Sequence, residues 1–186
     1  EADDIIGTLA TRSTMAVDIV TGDRDLFQLV NDDRDVRVIY TARGMSNLEI
    51  VTADVVQKKY GVGPDQHADF ATLRGDASDG LPGVAGIGEK TAAALLNTHG
   101  TIAGIIAAAE ANEGIAAAAR RRVLDGLDYL AVAPAVVAVA VDINLGEVES
   151  LIQPPDEDRR SAALELAQQW SLGTSMTRAL DALAAS

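Results

Sequence analysis

The first 74 residues constrain the fold most tightly, because helical and strand periodicities alternate along them. Residues 1–14 place Ala2, Ile5, Ile6 and Leu9 on one helical face. Residues 16–20, "AVDIV", form a short apolar run that ends at a turn and reads as a buried strand. Residues 25–30 read as helical. Residues 36–40 alternate as a strand does, and residues 48–51 can pair with them across the turn near Gly44. Residues 52–61 read as a helix with Thr52 as N-cap and Gly61 as its stop. Pro64 opens another helix, "PDQHADFATLRG". This alternation predicts an α/β fold built on a mainly parallel sheet flanked by crossover helices.

Past Asp76 the pattern changes to helices over 89–98, 102–111 and 115–130. Residues 135–145, "AVVAVAVDINL", are rich in β-branched side chains and predict one extended strand returning to the sheet. A loop over 153–158 and helices over 161–170 and 174–184 close the chain. Three segments are expected: 1–71 in the α/β core, 72–133 as a helical subdomain, and 134–186 as the returning strand with the last helices.

Composition limits the chemistry. Apolar residues make up 48% of the 186 residues and aromatics only 3%, so the core must be built from Ala, Val, Leu and Ile. With no cysteine, disulfides and thiolate metal sites are excluded. The two histidines, His67 and His99, read as surface or helix-end residues. Any metal would therefore be held by carboxylates, which suits Mg²⁺ or Mn²⁺. A net charge of −13 argues against a simple electrostatic grip on nucleic acid. The longest apolar run, 130–141, contains Pro134 and is too short to span a bilayer. No signal peptide is visible, so a cytoplasmic monomer with no membrane partner is the expectation. The chain opens on Glu1 rather than Met, as a processed chain or part of a longer one would.

Acids gather in three places. In "EADD", Glu1 and Asp4 share a helix face and Asp3 points to the neighbouring sector; acids are also ordinary in the first turn of a helix. In "TGDRD", Asp23 and Asp25 follow the strand 16–20, at the carboxyl edge where α/β sheets bind ligands, although Asp23 could simply cap a helix. In "GDASDG", Asp76 and Asp79 follow a helix end, and such residues also make plain polar turns. If the three clusters converge, their repulsion must be offset by cations. Two Mg²⁺ ions about 4 Å apart would do so and would clamp an in-line phosphoryl displacement.

"PGVAGIGEKTA", residues 82–92, follows at once. Its glycines let backbone approach another molecule closely, and the free amides of the helix starting near Glu89 point back at the turn. A phosphate could rest on the amides of Gly86 and Gly88 with Lys90 beside it, and carbonyls of the turn could hold a monovalent cation. A glycine-rich helix–helix turn without a ligand is the plain alternative. Backbone amides and bound cations would let an acidic chain grip phosphates without many basic side chains.

Together "EADD", "TGDRDLFQLV", "KKYGV", "LRGDASDGLPGVAGIGEKTAAALL" and "VDINL" resemble the bacterial 5′-nuclease family of flap endonucleases, 5′–3′ exonucleases and the 5′-nuclease domain of DNA polymerase I. The resemblance covers essentially the whole chain. It implies that Glu1, Asp3, Asp4, Asp23, Asp25, Asp76 and Asp79 ligate two or three Mg²⁺ or Mn²⁺ ions, directly or through water. It implies a helix–three-turn–helix (helix-hairpin-helix) subdomain holding duplex DNA, with carbonyls of Gly83, Val84 and Ile87 on K⁺ and with Gly86, Gly88 and Lys90 on a phosphate. Lys58, Lys59 and Arg120–Arg122 could touch the DNA backbone or form a solvated face. Family members carry further aspartates on earlier strands and a basic helical arch, which this chain lacks, and usually Asn where Gly80 stands. It is thus expected to be the carboxyl-terminal half of such a nuclease, with the other half missing, cleaved away or supplied as another chain. The implied function is metal-dependent hydrolysis of DNA phosphodiesters at 5′ ends or flap junctions in replication and repair. Two alternatives are a non-catalytic DNA-junction binding module and a phosphatase-like enzyme using Asp23 as nucleophile.

Overall fold

A computed structural model describes residues 1–148, 151 and 153–184. It comprises two compact units, Glu1–Asn144 and Leu145–Ser186. Of the segment 134–186, residues 149, 150, 152, 185 and 186 lie outside the described residues.

In the first unit, α1 (Ala2–Arg12) leads into β1 (Val17–Thr21), β2 (Val36–Tyr40) and β3 (Glu49–Val51), which form one sheet in that order. β1 runs parallel to β2 with Ile19 opposite Val38, and β2 runs antiparallel to β3 with Val38 opposite Val51. The small sheet is therefore mixed rather than mainly parallel. Between β1 and β2 the crossover is made of two short 3₁₀ turns, Asp25–Leu29 and Asp32–Arg34, so the helix expected over 25–30 is the tighter kind. Between β2 and β3 the chain reverses through Gly44 at φ +87°, which only an antiparallel pair needs.

Next come α2 (Ala53–Tyr60) and α3 (His67–Arg74), the latter introduced by a 3₁₀ turn at Pro64–Gln66. Thr52 caps α2 by accepting from the Val55 amide, and Gly61 ends it in the left-handed region, as the sequence predicts. Then follow α4 (Glu89–His99), α5 (Ile102–Ala111), α6 (Ala117–Asp125), α7 (Leu127–Leu130) and α8 (Ala133–Val137). The single helix expected over 115–130 is broken at Gly126, whose amide is shared between the carbonyls of Arg122 and Val123.

The strand expected over 135–145 does not form. Residues 133–137 are helical, with Pro134 in the first turn, and the segment after them joins no ladder. Side chains hold its backbone instead. The Ala140 amide donates to Asp4 Oδ1 at 2.8 Å and the Val139 amide to Gln28 Oε1 at 2.9 Å, while Arg12 Nη2 donates to the Ile143 carbonyl at 2.7 Å. Buried backbone groups must be paired somehow, and side chains of α1 and the 3₁₀ crossover do here what a neighbouring strand would otherwise do.

Two apolar clusters support the unit. One surrounds the sheet with Ile19, Leu26, Phe27, Val38, Val51 and Val56; the other joins α3–α7 through Phe70, Leu73, Val84, Ile87, Leu96, Ile105 and Val123. The second unit holds α9 (Glu157–Gln169) and α10 (Ser175–Ala184), joined by an Arg160–Asp181 ion pair at 2.8 Å. Asp156 caps α9 through the Arg159 amide, so that helix starts inside the loop expected over 153–158.

Candidate functional site

Asp23 and Asp25 stand just past the carboxyl end of β1, and Tyr40 ends β2 beside them. With Arg24, Asp76, Ser78 and Asp79 they line a cavity of about 260 Å³. Two local bonds fix the β1 turn: the Asp23 amide donates to Thr21 Oγ1 at 3.0 Å, and the Asp25 amide to Asp23 Oδ1 at 2.9 Å. A larger cleft of about 540 Å³ lies at the opposite end of the sheet, but two of its acids are engaged, Asp18 by Arg37 and Asp32 by the Ala53 amide.

Electrostatics tie the three acidic stretches together. Burial pushes the Asp25 carboxyl up to about 6, reinforced by Asp23, Asp79, Asp76 and Asp3 in that order. Asp3 is also raised, first by burial and then by Asp23, Glu1 and Asp4. So the fold brings Asp3, Asp23, Asp25, Asp76 and Asp79 into one field, with Glu1 joined through Asp3. Asp4 adds to the field at Asp3, and its Oδ1 also takes the Ala140 amide.

Asp76 is held on both oxygens. Oδ1 accepts from the Ser78 amide and hydroxyl, and Oδ2 lies 3.1 Å from Arg74 Nη2 and 3.9 Å from Arg24 Nη2. The Ser78 bonds, then the two arginines, hold its carboxyl below the ordinary range. Neither arginine was singled out from the sequence, yet both stand inside or beside the acidic motifs, as "GDRD" and "RGDASD". That position was the available signal.

The donor set suits a hard divalent cation, since it is all carboxylate and carries more negative charge than Asp25 can bear ionised at mildly acidic pH. Among the described residues, no three such side chains stand close enough to hold one ion.

The hairpin adjoins it. After α3 the chain crosses itself at Gly75 and Gly83, with φ of +83° and +69°. A Cβ on Gly83 would fall 2.5 Å from the Arg74 carbonyl oxygen, so the crossing requires glycine. Asp76 and Leu81 exchange backbone bonds at 3.0 and 2.9 Å, and the Val84 amide donates to the Leu73 carbonyl at 2.9 Å. Buried side chains of Val84 and Ile87 anchor the turn on the core, and the Val84 carbonyl accepts from the Ile87 amide. Gly88 begins α4 without a side-chain cap, and a Cβ there would meet nothing within 4 Å. This helix start is thus open to an approaching anion.

Lys90 is exposed beside it. Arg122 lies against Gly86, its Nε 2.9 Å from where a Cβ would be. Neither takes an ion-pair partner among the described residues, whereas Arg120 donates to the Ala109 carbonyl and Arg121 pairs with Asp125. Lys58 pairs with Asp54, and Lys59 pairs with Glu49 at 3.8 Å while lying 5.6 Å from the centre of the Tyr40 ring.

His67 stands at a helix end, as expected, but not at the surface. It is 3% exposed, packed edge-on against Tyr60 at 4.9 Å and near Phe27 and Phe70, and neither ring nitrogen has a partner among the described residues. Burial, with help from Arg74, Arg24 and Lys59, lowers its pKa to about 4. The surface reading fails because a helix that starts with His67 turns this residue toward Phe27 and Tyr60 of the sheet cluster. His99 ends α4, as expected.

A solved T5 5′-exonuclease with bound zinc superposes with a TM-score of 0.62 at 18% identity, covering 75% of this chain and 50% of that one. A bacteriophage T5 D15 flap endonuclease complex with DNA and metal ions gives 0.62 at 17%, with the same coverage. At those identities the likeness concerns the α/β fold with its small mixed sheet. A Streptomyces coelicolor 5′-3′ exonuclease is 51% identical over 100% of this chain and 62% of its own length, and a Mycobacterium tuberculosis 5′-3′ exonuclease is 41% identical over 98% and 60%. DNA polymerase I of Mycobacterium bovis is 48% identical over 61% of this chain and 13% of that protein. The chain thus spans about three-fifths of the exonucleases it matches. Residues 1–61 match the family model described as "5′-3′ exonuclease, N-terminal resolvase-like domain" and residues 62–158 the one described as "5′-3′ exonuclease, C-terminal SAM fold". Since those consecutive matches run through all three acidic stretches and the hairpin, the chain belongs to the 5′-3′ exonuclease family.

Proposed function

We propose that this chain carries the metal-binding and DNA-gripping part of a divalent-metal-dependent, structure-specific 5′ nuclease, which hydrolyses DNA phosphodiesters at 5′ ends or flap junctions during replication and repair. One observation carries the reading: Asp23 and Asp25 after β1 and Asp76 and Asp79 after α3 line one cavity at the carboxyl edge of the sheet, beside an open, glycine-built helix start.

In this reading Asp3, Asp23, Asp25, Asp76 and Asp79 hold Mg²⁺ or Mn²⁺, with Glu1 and Asp4 contributing directly or through water and Asp4 Oδ1 also taking the Ala140 amide. Divalent ions bound there would supply Lewis acidity toward water and the leaving oxygen, so no side-chain nucleophile is called for. Gly86, Gly88 and Lys90 grip a DNA phosphate, Arg122 adds a second cation at the same turn, and carbonyls of Gly83, Val84 and Ile87 take K⁺. The working form is a cytoplasmic monomer that completes its site with the further segment of the same nuclease that longer relatives have. Alone, this chain is expected to cleave weakly.

The test is a 5′-flap DNA substrate with Mg²⁺ and K⁺. Cleavage lost in Asp23→Asn while DNA binding persists is the expected result. DNA binding with no cleavage, even after the chain is joined to the longer relatives' additional segment, would favour the non-catalytic junction binder. Absence of DNA binding would remove both.

A further inference from the structure

Asp76 already has a partner on each oxygen, so a divalent cation that ligates it must share the carboxylate with those partners or compete with them. Ser78 holds Oδ1, and Arg74 holds Oδ2 at 3.1 Å with Arg24 more distant at 3.9 Å. Arg74 is the firmer partner. Its side chain is 19% exposed, against 48% for Arg24.

Arg74 is also fastened elsewhere. Its Nε donates to the Gly75 carbonyl at 3.0 Å, its guanidinium lies 5.3 Å from the centre of the Phe70 ring, and Nη1 stands 3.5 Å from Glu89 Oε1 at the start of α4. Losing Asp76 would therefore leave the guanidinium in place, still stacked and still paired. A planar fork with several donors can exchange one partner while keeping the rest.

Resting on the nuclease reading, we propose that Arg74 is a fixed counter-ion of the acidic cluster: its guanidinium on Asp76 Oδ2 competes with a divalent cation for that carboxylate, and so sets how tightly the site binds metal. Clustered carboxylates are relieved by a proton or by a cation. Arg74 supplies a fixed positive charge beside Asp76. Arg74 is a positioning residue, acting through Asp76. Its contact with Glu89 joins the acidic cluster to the helix start that faces DNA.

The experiment compares Mn²⁺ binding without DNA, by titration calorimetry and by the loss of the free-Mn²⁺ electron-spin signal, in wild type, Arg74→Met and Arg74→Lys. Arg74→Met keeps the stem against Phe70 and removes the charge. It is expected to bind Mn²⁺ about tenfold more tightly, as one lost competing charge contact implies, and to melt lower than wild type in EDTA but not in saturating Mn²⁺. Arg74→Lys should sit near wild type. In an Asp76→Asn background the Arg74→Met step should change Mn²⁺ affinity by less than about twofold, since the competed carboxylate is gone. Equal or weaker Mn²⁺ binding in Arg74→Met, with wild type binding normally, overturns the counter-ion role and leaves the nuclease reading intact. If neither wild type nor Arg74→Met binds Mn²⁺, both fall.

Discussion

Gly83 and Gly88 stand in one hairpin under different constraints. Gly83 has φ +69°, and a Cβ would press on the backbone of Arg74 and Gly75 at 2.5–2.6 Å. Gly88 has φ −98° and open space around it. Gly83→Ala should therefore cost on the order of 2–4 kcal/mol of stability, and Gly88→Ala no more than about 0.5 kcal/mol, read by urea denaturation. If a phosphate approaches the α4 start, Gly88→Ala should still weaken DNA binding at full stability. His67 gives a pH prediction. Its folded pKa of about 4 lies below the ordinary 6.5, so the unfolded chain takes up a proton first as the medium is acidified. The stability that neutral His67 contributes is complete above pH 6.5 and is lost as pH falls through about 4, a difference of about 3 kcal/mol. Asp25 works in the opposite sense. Its folded value of about 6 lies above the ordinary 3.8, so its contribution is present below 3.8 and is lost as pH rises through about 6. The clean measurement is the difference between wild type and His67→Phe across pH 4–7, in which Asp25 cancels. The variant should be at least as stable at pH 7, having shed two buried nitrogens without a partner among the described residues, and should gain on wild type as the pH drops. A constant offset would mean that His67 is not buried neutral.

At the level of elements, α1 shows how packing overrides propensity. Gly7 lies mid-helix, where alanine is ordinarily better by about 1 kcal/mol. Yet a Cβ at Gly7 would come within 2.5 Å of Val139 Cγ1 and 2.9 Å of the Ala140 carbonyl oxygen. Gly7→Ala should thus destabilise by roughly 1–3 kcal/mol, and Val139→Ala in the same chain should restore part of the loss; thermal melts of the two variants decide it. The same contact explains what the sequence concealed. Local signals marked α2, from Thr52 to Gly61, and α5 to the residue, because caps and stops act within a few positions. They failed at 135–145, where β-branched composition suggested a strand. What settles that segment is its distant bonding to Asp4, Thr8 and Gln28, together with Pro134 starting a helix. The mixed sheet was half visible, since the turn at Gly44 implied the antiparallel pair. In the site, the carboxylates and the glycine turn were legible as motifs. Arg74, Arg24 and Tyr40 were not, because their place depends on how α3 and the strand ends meet.

For the whole molecule, the net charge of −13 sets a measurable limit on how DNA can be held. A protein that neutralises many phosphates with side chains shows a steep loss of affinity with salt, about 0.9 logarithmic units per phosphate on duplex DNA. Here Arg120 is engaged by a carbonyl and Arg74 by Asp76 and Glu89, while Arg121 shares an exposed pair with Asp125. Lys90 and Arg122 remain beside the open helix start. Grip by amides and bound ions adds affinity without releasing condensed counterions in the same number. Binding of flap DNA, measured by anisotropy in Ca²⁺ across a KCl series, should therefore fall with a slope of only about −2. Replacing Lys90 and Arg122 by alanine should flatten it by between about one and two units. A wild-type slope near −6 would mean that basic side chains beyond Lys90 and Arg122 also contact phosphates, and would overturn a grip made mainly by amides and bound ions.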